Sequence, residues 1–238
     1  MEFLRPNHQR ARIVITMIWI VMALDIVALV SSYFQYSLLQ GVINGGEISM
    51  EAAEANDSRE RLVAIVYLIA YVISAITFIM WFRRAYFNLH QKIHTLEHSE
   101  GWAAGSWFVP ILNLFRPFQI MRELFRETRF LLQAQNYGYN ESPSDRNLGL
   151  WWTLWIVNNL LSQIVYRYSK NAETVEELNT LTIIAMVESL VGIFLAIITV
   201  NVIKEYSKYE GLIAEMPDTL IQSIGAVPVV ESTGKDYV

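Results

Sequence analysis

Residues 101–130 read GWAAGSWFVPILNLFRPFQIMRELFRETRF, and this stretch decides what kind of fold the chain can adopt. Its first half, Trp102–Leu114, is apolar but only 13 residues long. As a helix rising 1.5 Å per residue it would reach about 20 Å, short of the roughly 30 Å of a bilayer's hydrocarbon. Pro110 removes a backbone donor and disfavours helical geometry at Val109. Arg116-Pro117 then opens a second element, with Pro117 suited to the first helical position. From there Phe118, Met121, Phe125, Thr128 and Leu132 follow helical spacing, while Arg122, Arg126 and Arg129 share another face. The pattern predicts one of two arrangements. In the first, a short helix dips into one leaflet, breaks over Pro110–Asn113, and returns along the interface. In the second, a helix-turn-helix lies flat on the surface. A dip would require the break from Val109 to Arg116 to lie against protein, because lipid cannot satisfy non-helical backbone. In both, the second helix turns its apolar face to the membrane and its arginines to anionic headgroups.

Working outward, two long apolar segments lie on each side. They are Ile13–Tyr36, Leu62–Phe82, Leu148–Tyr166 and Leu181–Ile203. Each meets the length a spanning helix needs. The chain is 53% hydrophobic, ordinary for a membrane protein with modest loops. The reading is therefore an all-α membrane protein with four transmembrane helices plus a central short re-entrant or interfacial helix pair over 101–133. Residues 1–210 read as a single helical membrane domain and 211–238 as a flexible C-terminal tail. The first run is longer than a signal-peptide core and has no small-residue cleavage site, so it reads as a retained span. Residues 41–60 read as a polar loop, 83–98 as a basic helix continuing the second span, and 169–179 as a short acidic loop.

Orientation follows from lysine and arginine. If the central stretch does not cross, 14 of the 18 basic residues fall on the side of the N-terminus and tail, and 4 on the other. If it crosses as a fifth span, the split becomes 8 against 10 and the asymmetry vanishes. The bias favours four spans with both termini cytoplasmic. Trp81, Trp151 and Trp152 fall at the cytoplasmic ends of their spans, where amphipathic rings favour the headgroup zone.

Several function classes drop out. Without cysteine there is no disulfide framework, thiolate metal site or cysteine nucleophile. A net charge of −5 indicates no broad nucleic-acid surface. No Walker loop, dinucleotide fingerprint or G-x-S-x-G elbow is present.

Trp81, Arg84 and Asn88, then Gly101-Trp102, Trp107, Pro110, Asn113-Leu114, Pro117, Met121, Glu123-Leu124 and Trp151-Trp152, resemble a bacterial membrane family, domain of unknown function 4328. The run W-F-V-P-I-x-N-L-x-x-P is the most specific part. The resemblance covers most of the chain from the first span to the fourth and implies a multi-pass bacterial membrane protein; the expected location is the bacterial inner membrane. It carries no established activity and hence no catalytic residues. The F-L-R-P-N peptide at the start lies outside it.

Two acids interrupt the spans, Asp25 in the first and Glu188 in the fourth. Counted from the cytoplasmic ends they lie roughly 18 and 22 Å deep, with Asn158 and Asn159 somewhat nearer the cytoplasm. A carboxylate there costs several kcal/mol unless paired, hydrated or protonated. Two readings stay open: a protonatable or cation-coordinating site, or neutral acids joining helices by hydrogen bonds. His90, His94 and His98 recur every four residues, so adjacent pairs could chelate a metal, with Glu97 as an oxygen ligand. A polar cytoplasmic face is the alternative. Arg83, Arg84, Arg122, Arg126 and Arg129 are expected at lipid headgroups, and Pro110, Asn113, Arg116 and Pro117 at the break.

The first functional expectation is a non-enzymatic scaffold or accessory subunit, without cofactor or nucleic-acid partner. Its partners would be the bilayer, anionic headgroups, and further copies or other subunits of a membrane complex. A small proton- or ion-coupled transporter or channel using the mid-membrane carboxylates is the rival. An enzyme with a cytoplasmic histidine metal site is the third reading.

Overall fold

A computed structural model of the chain describes residues 4–93, 95–134 and 145–214. Its described residues form six α-helices: α1 (His8–Ile43), α2 (Met50–His90), α3 (Trp102–Gly105), α4 (Arg116–Ala134), α5 (Arg146–Ser169) and α6 (Val175–Ala214). A 3₁₀ turn, Leu112–Leu114, precedes α4. Three helices, α1, α2 and α6, are long and apolar enough to cross a membrane. This fits a membrane protein. With 24 residues α5 is long enough, at roughly 36 Å, but it is less apolar than the other three.

The long helices overrun their expected bounds. At 36, 41 and 40 residues, α1, α2 and α6 would measure about 54, 62 and 60 Å. The polar loop expected over 41–60 shrinks to a tight turn. Gly45 takes a left-handed φ of 86°, and a Cβ on Gly46 would sit 2.8 Å from the Gly41 carbonyl oxygen. Ser49 then caps α2 by accepting a hydrogen bond from the Ala52 amide at 3.2 Å. Residues 50–60 are helical because good helix formers follow a good cap. The acidic loop expected over 169–179 is likewise only 170–174. Thr174 and Glu177 form a reciprocal capping box that starts α6. Of the tail expected over 211–238, residues 211–214 are helical and 215–238 lie outside the described residues.

The principal contacts run α2–α1–α6–α5, a row with α1 and α6 at its centre. Polar contacts pin one end of the row. Ser31 donates to Glu60 at 2.6 Å, Arg59 donates to Ser31 and Asn56, and Gln35 donates to Thr182 at 2.9 Å. In the middle, protein covers little. Only 17%, 6% and 22% of the most apolar windows of α1, α2 and α6 are buried, as expected where lipid rather than protein is the neighbour.

The core gathers at the other end, beneath α4. Trp81, Tyr86 and Leu89 of α2, Ile120, Met121 and Leu124 of α4, and Ile203 and Tyr206 of α6 are all at most 1% exposed. The apolar face of α4 therefore packs on protein, correcting the expectation that it lies on the bilayer. Helix propensity and periodicity allowed either partner. The overrun of α2 and α6 past the spans supplies the protein one.

The central stretch also departs from expectation. In place of a 13-residue helix it holds the one-turn α3, then turns to the 3₁₀ segment. Ile111, just after Pro110, has a φ of 69°, a strained conformation for a β-branched residue.

Candidate functional site

Asp25, only 3% exposed, lies where α1 meets α6. It fits because residue 192 is the only glycine of α6 before Gly211. A Cβ there would stand 2.9 Å from both carboxylate oxygens. Tyr67 of α2 lies beside the same carboxylate.

A cavity of about 340 Å³ opens in front of Asp25. One face of each long helix lines it. Ile18, Val21 and Asp25 come from α1; Tyr67, Tyr71, Ser74 and Phe78 from α2; Trp151, Trp155, Asn158 and Asn159 from α5; and Gly192, Ala196 and Thr199 from α6. Each set follows i, i+3, i+4 or i+7 spacing. Trp107, Phe108 and Asn113 of the central stretch close one side. The rings interlock there: Trp107 meets Phe78 edge-on at 5.6 Å and Trp155 at 5.6 Å, and Phe78 lies 6.2 Å from Trp151. Trp152 donates to the Leu114 carbonyl at 3.0 Å, holding the break on α5.

Of the four expected intramembrane polar residues, three share this cavity: Asp25, Asn158 and Asn159. Glu188 stands one turn before Gly192 on α6 and does not line it; its carboxylate accepts a hydrogen bond from Ser162 of α5. Asn159 donates to the Trp155 carbonyl at 2.7 Å. The Asn158 Oδ1 is buried without a partner. Of the break residues only Asn113 reaches the cavity. Sequence reasoning missed Tyr67, Tyr71 and Gly192. Two tyrosines four apart in an apolar span, and a lone glycine one turn from an acid, were the available signals.

A second polar cluster ties the linker after α2 to α4. Glu123, 3% exposed, accepts from the Glu97 amide at 2.5 Å, the Tyr86 hydroxyl at 2.6 Å and the His98 Nδ1 at 3.1 Å. Arg116 contacts the His98 Nε2, so the tautomer with hydrogen on Nδ1 satisfies both neighbours. Glu97, His98 and Glu123 offer ligand atoms within 4.8 Å of one another. Both His98 ring nitrogens are already engaged, however, and the cluster as it stands clasps α2 to α4. The helical spacing expected of the histidines is corrected: α2 ends at His90, which reaches back to the His98 carbonyl at 2.9 Å. His94 lies outside the described residues.

A third centre surrounds Glu210 of α6. Asn7 and Asn88 donate to its carboxylate at 3.0 and 2.8 Å, and Asn88 exchanges two hydrogen bonds with the Arg5 backbone. The Arg5–Asn7 peptide is thereby bound to the ends of α2 and α6.

Several of the arginines expected at headgroups meet acids instead. Arg83 pairs with Glu100 at 3.1 Å, Arg126 with Glu97 and Glu127 at 2.8 Å each, and Arg129 with Asp145 at 3.3 Å. The hydrogen bond from Arg126 holds the exposed Glu97 carboxyl below the usual carboxylate range. That pair raises the Arg126 guanidinium in turn. Arg122 is exposed and Arg84 half-buried.

The chain is a helical protein with three helices long and apolar enough to span a membrane and, among its helices, a largely apolar cleft that holds a buried carboxylate. It belongs to the family described as Domain of unknown function (DUF4328), which matches residues 44–208. The match begins after α1, so the expected coverage of the first span is corrected, and Asp25 lies outside the matched region. No curated protein and no solved structure matches the chain.

Proposed function

We propose that this protein is a multi-pass membrane protein that admits a small ligand or ion to a cleft within the bilayer, as a small transporter or channel does. One observation carries the reading: Asp25, 3% exposed, lines a cavity of about 340 Å³ rather than being sealed between helices. That volume is in the range of small-molecule sites. An intramembrane carboxylate facing a cavity is the usual mark of an ion or proton path.

In this reading α5 is the fourth span. Its polar residues Asn158, Asn159 and Ser162 face the cleft or Glu188, which accounts for its lower hydropathy. The basic end faces the cytoplasm of a bacterial inner membrane, by the excess of lysine and arginine there. The central stretch sits at the cytoplasmic leaflet, a reading supported by Trp107, Phe108 and Asn113 beside the cavity, while most of its break, from Val109 to Phe115, faces outward rather than packing on protein. Arg122 and Arg84 meet anionic headgroups.

A scaffold or accessory-subunit role is the second reading. It is favoured by the apolar tip of the central stretch, where Phe108 is 75% and Ile111 72% exposed.

The test is proton flux into proteoliposomes, read by an entrapped pH-sensitive dye under a potassium diffusion potential. Asp25→Asn is expected to lower flux at least about tenfold, a loss of one essential charge-assisted contact, while Glu188→Gln retains most of it. Equal flux in Asp25→Asn and the parent would remove Asp25 from the mechanism.

A further inference from the structure

We infer that the occupant of the Asp25 cleft is a protonated amine carrying an apolar or aromatic body; this deepens the transport reading and rests on the same cavity.

The first argument is charge. Among the described residues, Asp25 is the one carboxylic acid that lines the cleft, and none of the lining residues is lysine, arginine or histidine. An anionic ligand would meet a buried carboxylate with nothing to offset it. A cation completes the site.

The second is hydrogen bonding. Two acceptors among the lining residues, on Asp25 and Asn158, have room for donors. The Asp25 carboxylate has Tyr67 beside it and capacity for further donors. The Asn158 Oδ1 has no donor, although Asn158 is only 7% exposed and borders the cavity. A buried acceptor left unpaired is costly, so the site is built for something that brings N–H groups. A primary ammonium has three, enough for Asp25 and Asn158 together. A quaternary ammonium has none.

The third is the wall. Trp107, Trp151, Trp155 and Phe78 present an interlocked aromatic surface to the cleft. Aromatic faces attract a cation and cover an apolar body. A bare metal ion would need several oxygen ligands and would leave these rings without a role. The carboxylate, the unpaired acceptor and the aromatic wall together describe an aryl- or alkyl-ammonium of small-molecule size.

The experiment uses the full chain in nanodiscs of zwitterionic lipid at pH 7, titrated with three probes while tryptophan fluorescence is read. The probes are 2-phenylethylamine, its N,N,N-trimethyl derivative and 2-phenylethanol. The amine is expected to bind saturably and at least about tenfold tighter than the alcohol, with the trimethyl compound between them. Asp25→Asn should erase the preference for the amine over the alcohol. Asn158→Leu should erase the preference for the amine over the trimethyl compound. Alcohol binding as tight as amine binding, or a preference unchanged in Asp25→Asn, overturns the inference, as does displacement of the amine by an equal concentration of sodium chloride. If Asp25→Asn loses its near-ultraviolet circular dichroism, Ala196→Phe, which fills the cleft from α6, must abolish amine binding; persistent binding overturns the site. Amine binding with no proton flux in proteoliposomes sinks the transport reading and leaves the site standing. Asp25-dependent flux without amine preference does the reverse.

Discussion

Gly192→Ala tests the geometry on which the cleft depends. The new methyl would sit 2.9 Å from both Asp25 oxygens and 3.0 Å from its Cγ, whereas ordinary contact begins at 3.4 Å. About 0.5 Å must be found. The carboxylate could give way at the expense of its contact with Tyr67, at about 0.5–1.5 kcal/mol if that contact is a hydrogen bond. Alternatively α1 and α6 separate, at the cost typical of overpacking, about 1–3 kcal/mol. The expected loss of stability is thus about 0.5–3 kcal/mol, the lower part if the carboxylate moves and the upper part if the helices separate. Reversible unfolding in mixed micelles with increasing dodecyl sulfate, followed by tryptophan fluorescence, measures it. The cause is isolated by repeating the substitution beside Asp25→Ala, which removes the atoms the methyl strikes. A coupling of about 1–2 kcal/mol is expected between contacting residues. If Gly192→Ala costs as much without the carboxylate as with it, the close approach is not what the glycine serves and the reasoning fails.

Three further outcomes are expected. In Glu123→Gln one acceptor becomes an amide donor, so either the Glu97 amide or the Tyr86 and His98 donors lose their partner; stability should fall by about 1–3 kcal/mol, and an unchanged unfolding midpoint would show that the cluster does not clasp α2 to α4. Because Arg126 depresses the Glu97 carboxyl, their pairing should stabilise the fold above the ordinary value of 4.5 and lose that effect as pH falls through the lowered one; parent and Glu97→Gln unfolding curves should differ at neutral pH and converge in acid. Since the chain has no cysteine, Arg122→Cys on exposed α4 reports topology directly: an impermeant maleimide should label it only after cells are opened, and labelling of intact cells would refute the cytoplasmic assignment.

Sequence alone determined that the chain is helical and built around long apolar segments, because length, hydropathy and helical period are local properties. Asp25 and Glu188 stood out for the same reason: a charge in an apolar run is visible without knowing any neighbour. Local signals could also have extended the helices, since Ser49 and the Thr174–Glu177 capping box mark the starts of α2 and α6, yet the surrounding charges read more strongly as loops.

Tertiary structure decided the rest. An amphipathic α4 could lie on lipid or on protein; the overrun of α2 and α6 gave its apolar face a protein partner, and that face now holds Ile120, Met121 and Leu124 in the core. Two acids of similar depth could have faced each other, but rotation about the helix axis sends Glu188 to Ser162 and leaves Asp25 to the cavity. Period and hydropathy fix how far along a helix a residue lies. Only packing between helices fixes its azimuth and its neighbours. The cleft is made by four helices and a broken loop that are far apart in the chain, so its one acid, its unpaired asparagine and its aromatic wall meet only once the row of helices has formed.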